Sequence, residues 1–189
     1  LLATTLPRYL STTLALMVCV GFGAACIGAG TAWLITRYRF WGVRSFEWLL
    51  LMPLAIPAYV GAYALVDLLE YAGPVQSALR GVMGWTNAQD YWFFEIRSFG
   101  AASFVLTMAL YPYVYLLSRA AFREQSGAVE EVAQSLGSHA FLRFWKIGLP
   151  LARPALAAGT AIVMMETIND FGAVDYFAVQ TLTTGIFSV

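Results

Sequence analysis

The chain has little charge. Asp, Glu, Lys and Arg make up 12% of its 189 residues, against about 25% in an ordinary soluble domain. Hydrophobic residues supply 60%, and mean hydropathy is +0.68. That leaves too little polar surface to keep the chain dissolved in water. Eleven basic side chains balance eleven acidic ones, so the electrostatic footprint of a nucleic-acid binder is missing and no nucleic acid is expected as a partner. Cysteine and histidine are nearly absent. Cys19 and Cys26 stand seven apart in one apolar run, on one helix face and too far apart to bridge. Neither they nor the single His139 supplies a metal-site spacing, and His139 is assigned no role. No G-x-x-x-x-G-K-[ST] loop, H-E-x-x-H pair or G-x-S-x-G elbow occurs. An enzyme acting by itself is therefore not expected, nor a cofactor or fixed metal held by this chain. No secretory leader is expected either, since Arg8 stands alone ahead of the first apolar run. Without an initiator Met or a stop-like tail, the chain is expected to be a piece of a longer protein.

Long apolar runs are what the sequence does have. A helix crossing the hydrocarbon core needs about 20 apolar residues, and four segments qualify: roughly 12–36, 46–70, 99–118 and 154–175. The expected fold is an all-α polytopic membrane protein, with residues 1–189 forming one transmembrane domain. A further span begins near Thr181. Arg37, Arg39 and Arg44 fall in the first connection, and Arg119, Arg123, Arg143, Lys146 and Arg153 in the third. Only Arg8, Arg80 and Arg97 fall on the other side. Basic residues are retained in the cytoplasm, so the 119–153 loop is expected there, with the N-terminus and the 71–98 loop facing outward. Within the first span, Ala24/Gly28 and Cys26/Gly30 are small pairs of the kind that let helices approach closely. Pro53, Pro57 and Pro112 remove backbone donors and are expected to kink the second and third spans.

Carboxylates inside apolar runs need a reason, because ionised groups in a membrane are costly and face a cavity or a partner. Glu166, Asn169 and Asp170 follow at i, i+3 and i+4, which places them on one helix face. Glu166 lies about 18 Å along the helix from Pro154, close to mid-membrane. Tyr63, Asp67 and Glu70 share a second face near the outer end of the second span. Acidic groups at mid-depth and at the outer mouth suit a cationic substrate, which makes both trios candidates for a translocation path. A structural role, pairing or capping a broken helix, is the alternative for Glu166 and Asp170.

The polar 119–153 loop carries the most specific pattern. Glu131-Val-Ala-Gln-Ser-Leu-Gly137 is followed, nine residues on, by Ile147-Gly-Leu-Pro150. Residues 130–138 are expected to form a short helix broken at Gly137, with helical spacing resuming over 141–147. The resulting knob would dock in a partner's groove through its acidic face (Glu130, Glu131). An amphipathic helix lying at the membrane surface is the plainer alternative.

This loop resembles the one with which permease subunits of bacterial ABC importers grip their ATPase: Glu-Ala-Ala, three residues, Gly, nine residues, Ile-x-Leu-Pro. Val132 replaces the first Ala; Glu131, Ala133, Gly137, Ile147, Leu149 and Pro150 agree. A narrower resemblance, to the permeases of ferric-iron importers, rests on Met165-Glu-Thr-Ile-Asn-Asp-Phe-Gly-Ala-Val-Asp-Tyr-Phe177 and Gln180-Thr-Leu-Thr-Thr-Gly-Ile186. It also rests on Pro53-Leu-Ala-Ile-Pro-Ala-Tyr-Val-Gly-Ala-Tyr63 and Asp90-Tyr-Trp-Phe-Phe-Glu-Ile-Arg97. The resemblance implies a MetI-like helical bundle with a cytoplasmic coupling helix, in a multi-pass protein of the bacterial inner membrane. It implies a cytoplasmic ABC ATPase dimer, which would hold the ATP and Mg, and a periplasmic substrate-binding protein. A second permease half in the same full-length chain is implied too, this chain being the first half cut before its last spans. Permeases for thiamine, molybdate, sulfate or putrescine share parts of the pattern. The rivals from other classes are a proton-coupled secondary transporter using Glu166 and Asp170, and a membrane-embedded anchoring subunit.

Overall fold

The structure, a computed structural model, describes residues 5–187 apart from residue 88. It is all-α, with no strand among the described residues, as hydrocarbon demands of a chain whose backbone groups must be satisfied within each segment. Helices α1 (Thr5–Arg37) and α5 (Phe99–Glu124) are long and apolar enough to cross a membrane. They run side by side in the same direction: Gly23 faces Thr107, Gly28 faces Val114, and the Trp33 and Phe122 rings meet edge-on at 5.3 Å. Helix α9 (Arg153–Asn169) packs antiparallel against both, with Gly159 at Val114 and Met164 at Gly21. The buried faces of these three helices, including Leu16, Val20, Leu106, Tyr115 and Val163, form the core.

Of the two small pairs in α1, only Ala24/Gly28 is a seam. Ala24 is fully buried and Gly28 lies against the α5 backbone, whereas nothing lies near Gly30 and Cys26 is exposed.

The second and fourth apolar segments are not the single helices expected over 46–70 and 154–175. The second consists of α2 (Val43–Leu49), a 3₁₀ turn over Met52–Ala55 and α3 (Ala58–Leu69). Its halves are bent by 91°. Ile56, forced extended by the ring of Pro57 (φ −115°, ψ 119°), marks the break, as expected of a residue before proline. Pro112, by contrast, is buried inside an α5 that continues past it. The fourth segment stops after 17 residues, at Asn169, about 25 Å of helix. Asp170 is already extended (φ −70°, ψ 119°), and the short α10 (Gly172–Tyr176) follows.

The ends of the bundle are well separated in chemistry. At one end, Glu47 of α2 accepts from Arg119 at 2.5 Å and Arg123 at 2.8 Å, and nearer the middle of α5 the Tyr111 hydroxyl donates to the Leu50 carbonyl at 2.9 Å. Arg37 donates to the Gln125 side chain, which in turn donates to the Gly148 carbonyl, both at 3.0 Å. At the opposite end, α11 (Leu182–Phe187) caps the start of α1: the Leu182 N–H reaches the Thr13 hydroxyl at 3.0 Å. The amphipathic α4 (Pro74–Met83) and the aromatic loop after it lie at that end too. There Tyr91 donates to Gln76 at 2.5 Å and stacks on Trp85. Backbone N–H groups of Asn87 and Thr86 hold the Asp90 carboxyl below the usual carboxylate range.

Candidate functional site

The polar loop folds as two short helical units joined at a glycine, as its sequence suggests. Helix α6 (Gly127–Ser135) begins three residues earlier than expected. It ends in a Schellman turn: the Ser138 N–H reaches the Ala133 carbonyl and the Gly137 N–H the Gln134 carbonyl, each at 3.0 Å. Gly137 has φ +79°, and nothing lies within 4 Å of the place a Cβ would take. The demand for glycine here is conformational alone. Beyond it come α7 (Ala140–Arg143), one π-helical turn over Phe144–Gly148, and α8 (Leu149–Leu151).

The underside of the loop is clamped to the bundle. Phe144 meets Trp33 edge-on at 5.4 Å, and Gly148 is pressed against the face of the same indole. Arg143 donates to the Ser138 carbonyl and closes the loop on itself. Of the motif residues, Ala133, Ile147, Leu149 and Pro150 are half-buried on this side. Glu131 is exposed, as are Val132 and Leu136 (80% exposed) on its own helix and Phe141 and Trp145 beyond Gly137. The Glu130 side chain lies outside the described residues. The loop thus turns an apolar, acid-edged surface outward while its underside is fixed to α1 and α5. Gly148 and Trp33 were not singled out by the sequence. The one local signal was a glycine at the free position of Ile-x-Leu-Pro.

A second site lies where the two interrupted segments meet. A recess of about 220 Å³ is lined by Pro53, Ile56 and Pro57 on one wall, Leu110 and Tyr113 of α5 on another, and Glu166 and Asp170 on a third. Leu110 and Tyr113 sit midway along α5, which puts Glu166 beside the middle of that helix. Its carboxylate makes no hydrogen bond or ion pair among the described residues.

Asp170 does not share Glu166's helix face, because the helix has already ended. Its Oδ1 accepts from the Ala173 N–H at 2.9 Å and the Val174 N–H at 3.3 Å and caps α10. The capping alternative is what the structure has for this residue, at the edge of the recess. Asn169 is exposed and does not line the recess. Removing a capping side chain costs about 1 kcal/mol. Asp170→Ala is therefore expected to destabilise by that amount in detergent unfolding, with Asp170→Asn recovering most of it; equal losses would refute the cap.

Tyr63, Asp67 and Glu70 lie outside the recess, around α10. The Tyr63 and Tyr176 rings are 4.0 Å apart, and Arg97 sits 5.4 Å from the Tyr176 ring and 3.6 Å from Glu70. That ion pair is half exposed and holds little energy. Asp67 is exposed without a hydrogen bond or ion pair among the described residues. Helix α10 connects the two trios, its start capped by Asp170 and its end packed against Tyr63 through Tyr176. No group of three or more His, Cys, Asp or Glu side chains able to hold a metal occurs among the described residues.

Comparison with known proteins finds a family model, binding-protein-dependent transport system inner membrane component, that matches residues 21–188. The Fe(3+)-transport system permease protein FbpB 2 of Haemophilus influenzae is 30% identical over 182 residues, 96% of this chain and 31% of that protein. The sulfate transport system permease protein CysT of Salmonella typhimurium is 31% identical over 90% of this chain and 58% of its own length. The molybdenum transport system permease protein ModB of Mycobacterium tuberculosis is 30% identical over 80% and 54%. The chain thus spans between about a third and three-fifths of these curated relatives.

Proposed function

The chain belongs to the family of binding-protein-dependent transport system inner membrane components, and on that premise we propose that it passes ferric iron through the recess between its two interrupted segments. The motion is driven by a cytoplasmic ABC ATPase dimer gripping the 127–151 loop. The observation that carries the cargo is the unpaired Glu166 carboxylate beside Asp170 and the middle of α5, with Asp67 and Glu70 exposed at the outer mouth. Sulfate or molybdate arriving there would meet like charge, whereas a hard trivalent cation takes oxygen ligands. A transport path must still release its cargo, and two carboxylates without a closed ligand set fit weak, passing contact.

Mechanically, the loop's outward apolar surface receives the ATPase, and its underside transmits the displacement. Trp33, Gln125 and Arg37 join the loop to the ends of α1 and α5, and Glu47 joins α2 to the same end. These parts move as one body. The bend at Pro53–Pro57 lets α3 stay behind, and the recess between them changes its exposure. A periplasmic binding protein delivers the ion to the outer end, and a second permease half completes the path.

The test is uptake of radiolabelled ferric iron by cells carrying the full-length permease, its ATPase and its binding protein, with ATP hydrolysis followed in parallel. Glu166→Gln is expected to cut uptake about tenfold, the loss of roughly 1.4 kcal/mol of ion attraction, with hydrolysis retained. Gly137→Val forces a β-branched residue to positive φ, a strain of about 1–3 kcal/mol. It is expected to uncouple hydrolysis from uptake with insertion intact, as is Glu131→Ala more mildly. ATP-driven uptake of sulfate or molybdate instead of iron would refute the cargo and keep the permease. Uptake indifferent to both Glu131 and Gly137 would refute the loop's role.

A further inference from the structure

Between α1 and α2 the chain turns in a tight hairpin at the loop-bearing end of the bundle. Gly42 (φ +87°) makes the turn, the Val43 N–H reaches the Phe40 carbonyl at 3.2 Å, and the Phe40 and Phe46 rings pair at 5.9 Å. The hairpin is held from behind by Glu47, whose two oxygens are both taken, one by Arg119 and one by Arg123. It is a fixed projection. Trp41 at its tip is 99% exposed and Trp48 is 74% exposed. Trp48 follows Arg44 by one helical turn, on the face turned away from the bundle.

The arginines of this end divide into two sets. Arg119 and Arg123 hold Glu47, and Arg37 holds Gln125. Arg39 and Arg44, on the hairpin, are exposed and have no hydrogen bond or ion pair among the described residues. The nearest carboxylate in sequence, Glu47, is already occupied. Two free guanidinium groups therefore stand beside two exposed indoles at the point where two apolar segments end. Guanidinium matches a phosphodiester bidentately, and indole, with an apolar body and one N–H, prefers the membrane–water boundary.

We propose that the 38–48 hairpin is a seat for anionic phospholipid headgroups. Arg39 and Arg44 take the phosphate oxygens and Trp41 and Trp48 lie at the glycerol level of the same leaflet. Uncompensated charge gives anionic lipid an advantage over zwitterionic lipid of about fivefold per arginine. The proposal rests on the membrane placement of the chain and is independent of its cargo and of the ATPase contact.

The test uses the full-length permease with its ATPase in nanodiscs of equal phosphatidylglycerol and phosphatidylcholine, one lipid at a time carrying brominated chains. Subtracting the emission of Trp41→Phe isolates the Trp41 signal. Brominated phosphatidylglycerol is expected to quench that signal several-fold more than brominated phosphatidylcholine. The preference is expected to vanish in Arg39→Gln/Arg44→Gln and to survive in Arg39→Lys/Arg44→Lys. Equal quenching by both lipids in the unsubstituted protein would overturn the headgroup preference. Quenching by neither would overturn the membrane seat and give the hairpin to a protein surface, the ATPase or the second permease half. Iron uptake does not enter this readout, so a wrong cargo leaves it intact.

Discussion

Gly148→Val is expected to disconnect the loop from the bundle. A Cβ at this position would fall inside the Trp33 indole, which is itself wedged between Phe122 and Phe144. The indole is 6% exposed, so any retreat breaks its ring contacts with Phe122 and Phe144. Either the ring leaves its pocket or the π-helical turn lifts away, which also stretches the hydrogen bond from Gln125 to the Gly148 carbonyl. Overpacking of this kind costs about 1–3 kcal/mol. The expected result is a comparable loss of stability in detergent unfolding, together with ATP hydrolysis that no longer depends on delivered substrate. Trp33→Leu in the same chain makes room for the added side chain and is expected to restore part of both. If Gly148→Val behaved like the parent protein, the clamp would not be the mechanical link proposed here.

Gly28→Ala is expected to act on the bundle itself. Its Cβ would sit 2.7 Å from the Val114 Cβ, 2.8 Å from the Tyr115 nitrogen and 3.0 Å from the Tyr111 oxygen. Two of those atoms are backbone, so no rotamer change relieves them. Helices α1 and α5 must separate, and lipid offers no hydrophobic compensation for lost packing. A loss of about 2–3 kcal/mol is expected for alanine, and Gly28→Leu should leave little folded protein. Gly30→Ala supplies the contrast. With nothing within 4 Å, it removes a mid-helix glycine and should be neutral or stabilising by up to about 1 kcal/mol. Thermal unfolding of the three variants side by side decides the matter, and equal effects at 28 and 30 would refute the seam.

Where chemistry is local, the sequence was legible. Apolar length announced α1 and α5, and Gly137 announced the turn between the two loop helices. The uneven distribution of arginine matched the two ends of the bundle, with Arg37, Arg119, Arg123 and Arg143 gathered at one of them. Where a partner distant in sequence decides, the reading failed. Placing Glu166 and Asp170 on one face assumed that α9 continues, although Gly172 stands just beyond the point where it ends. Asp170 steps off the helix because its carboxylate serves α10 instead. Pro53 and Pro57 signalled a kink, but not that the second segment would split into pieces joined by a 91° bend. The contact of Gly148 with Trp33 joins a loop to a span far earlier in the chain, and no spacing records it. The recess is likewise a meeting of two breaks.

The split second segment also imposes an order on synthesis. Helix α3 has 12 residues, too few to cross the hydrocarbon core unaided. At the interruption before it the Leu50 carbonyl takes its bond from the Tyr111 hydroxyl, and Glu47 takes its cations from Arg119 and Arg123. All three donors belong to α5, which the ribosome makes later. Until α5 emerges, the segment carries an unneutralised carboxylate and a bare carbonyl. It must wait in the insertion machinery or at the interface before taking its place. The first apolar helix inserts alone and the second follows the third, so a chain stalled before α5 emerges should keep a cysteine placed in α3 reactive toward a membrane-impermeant thiol reagent.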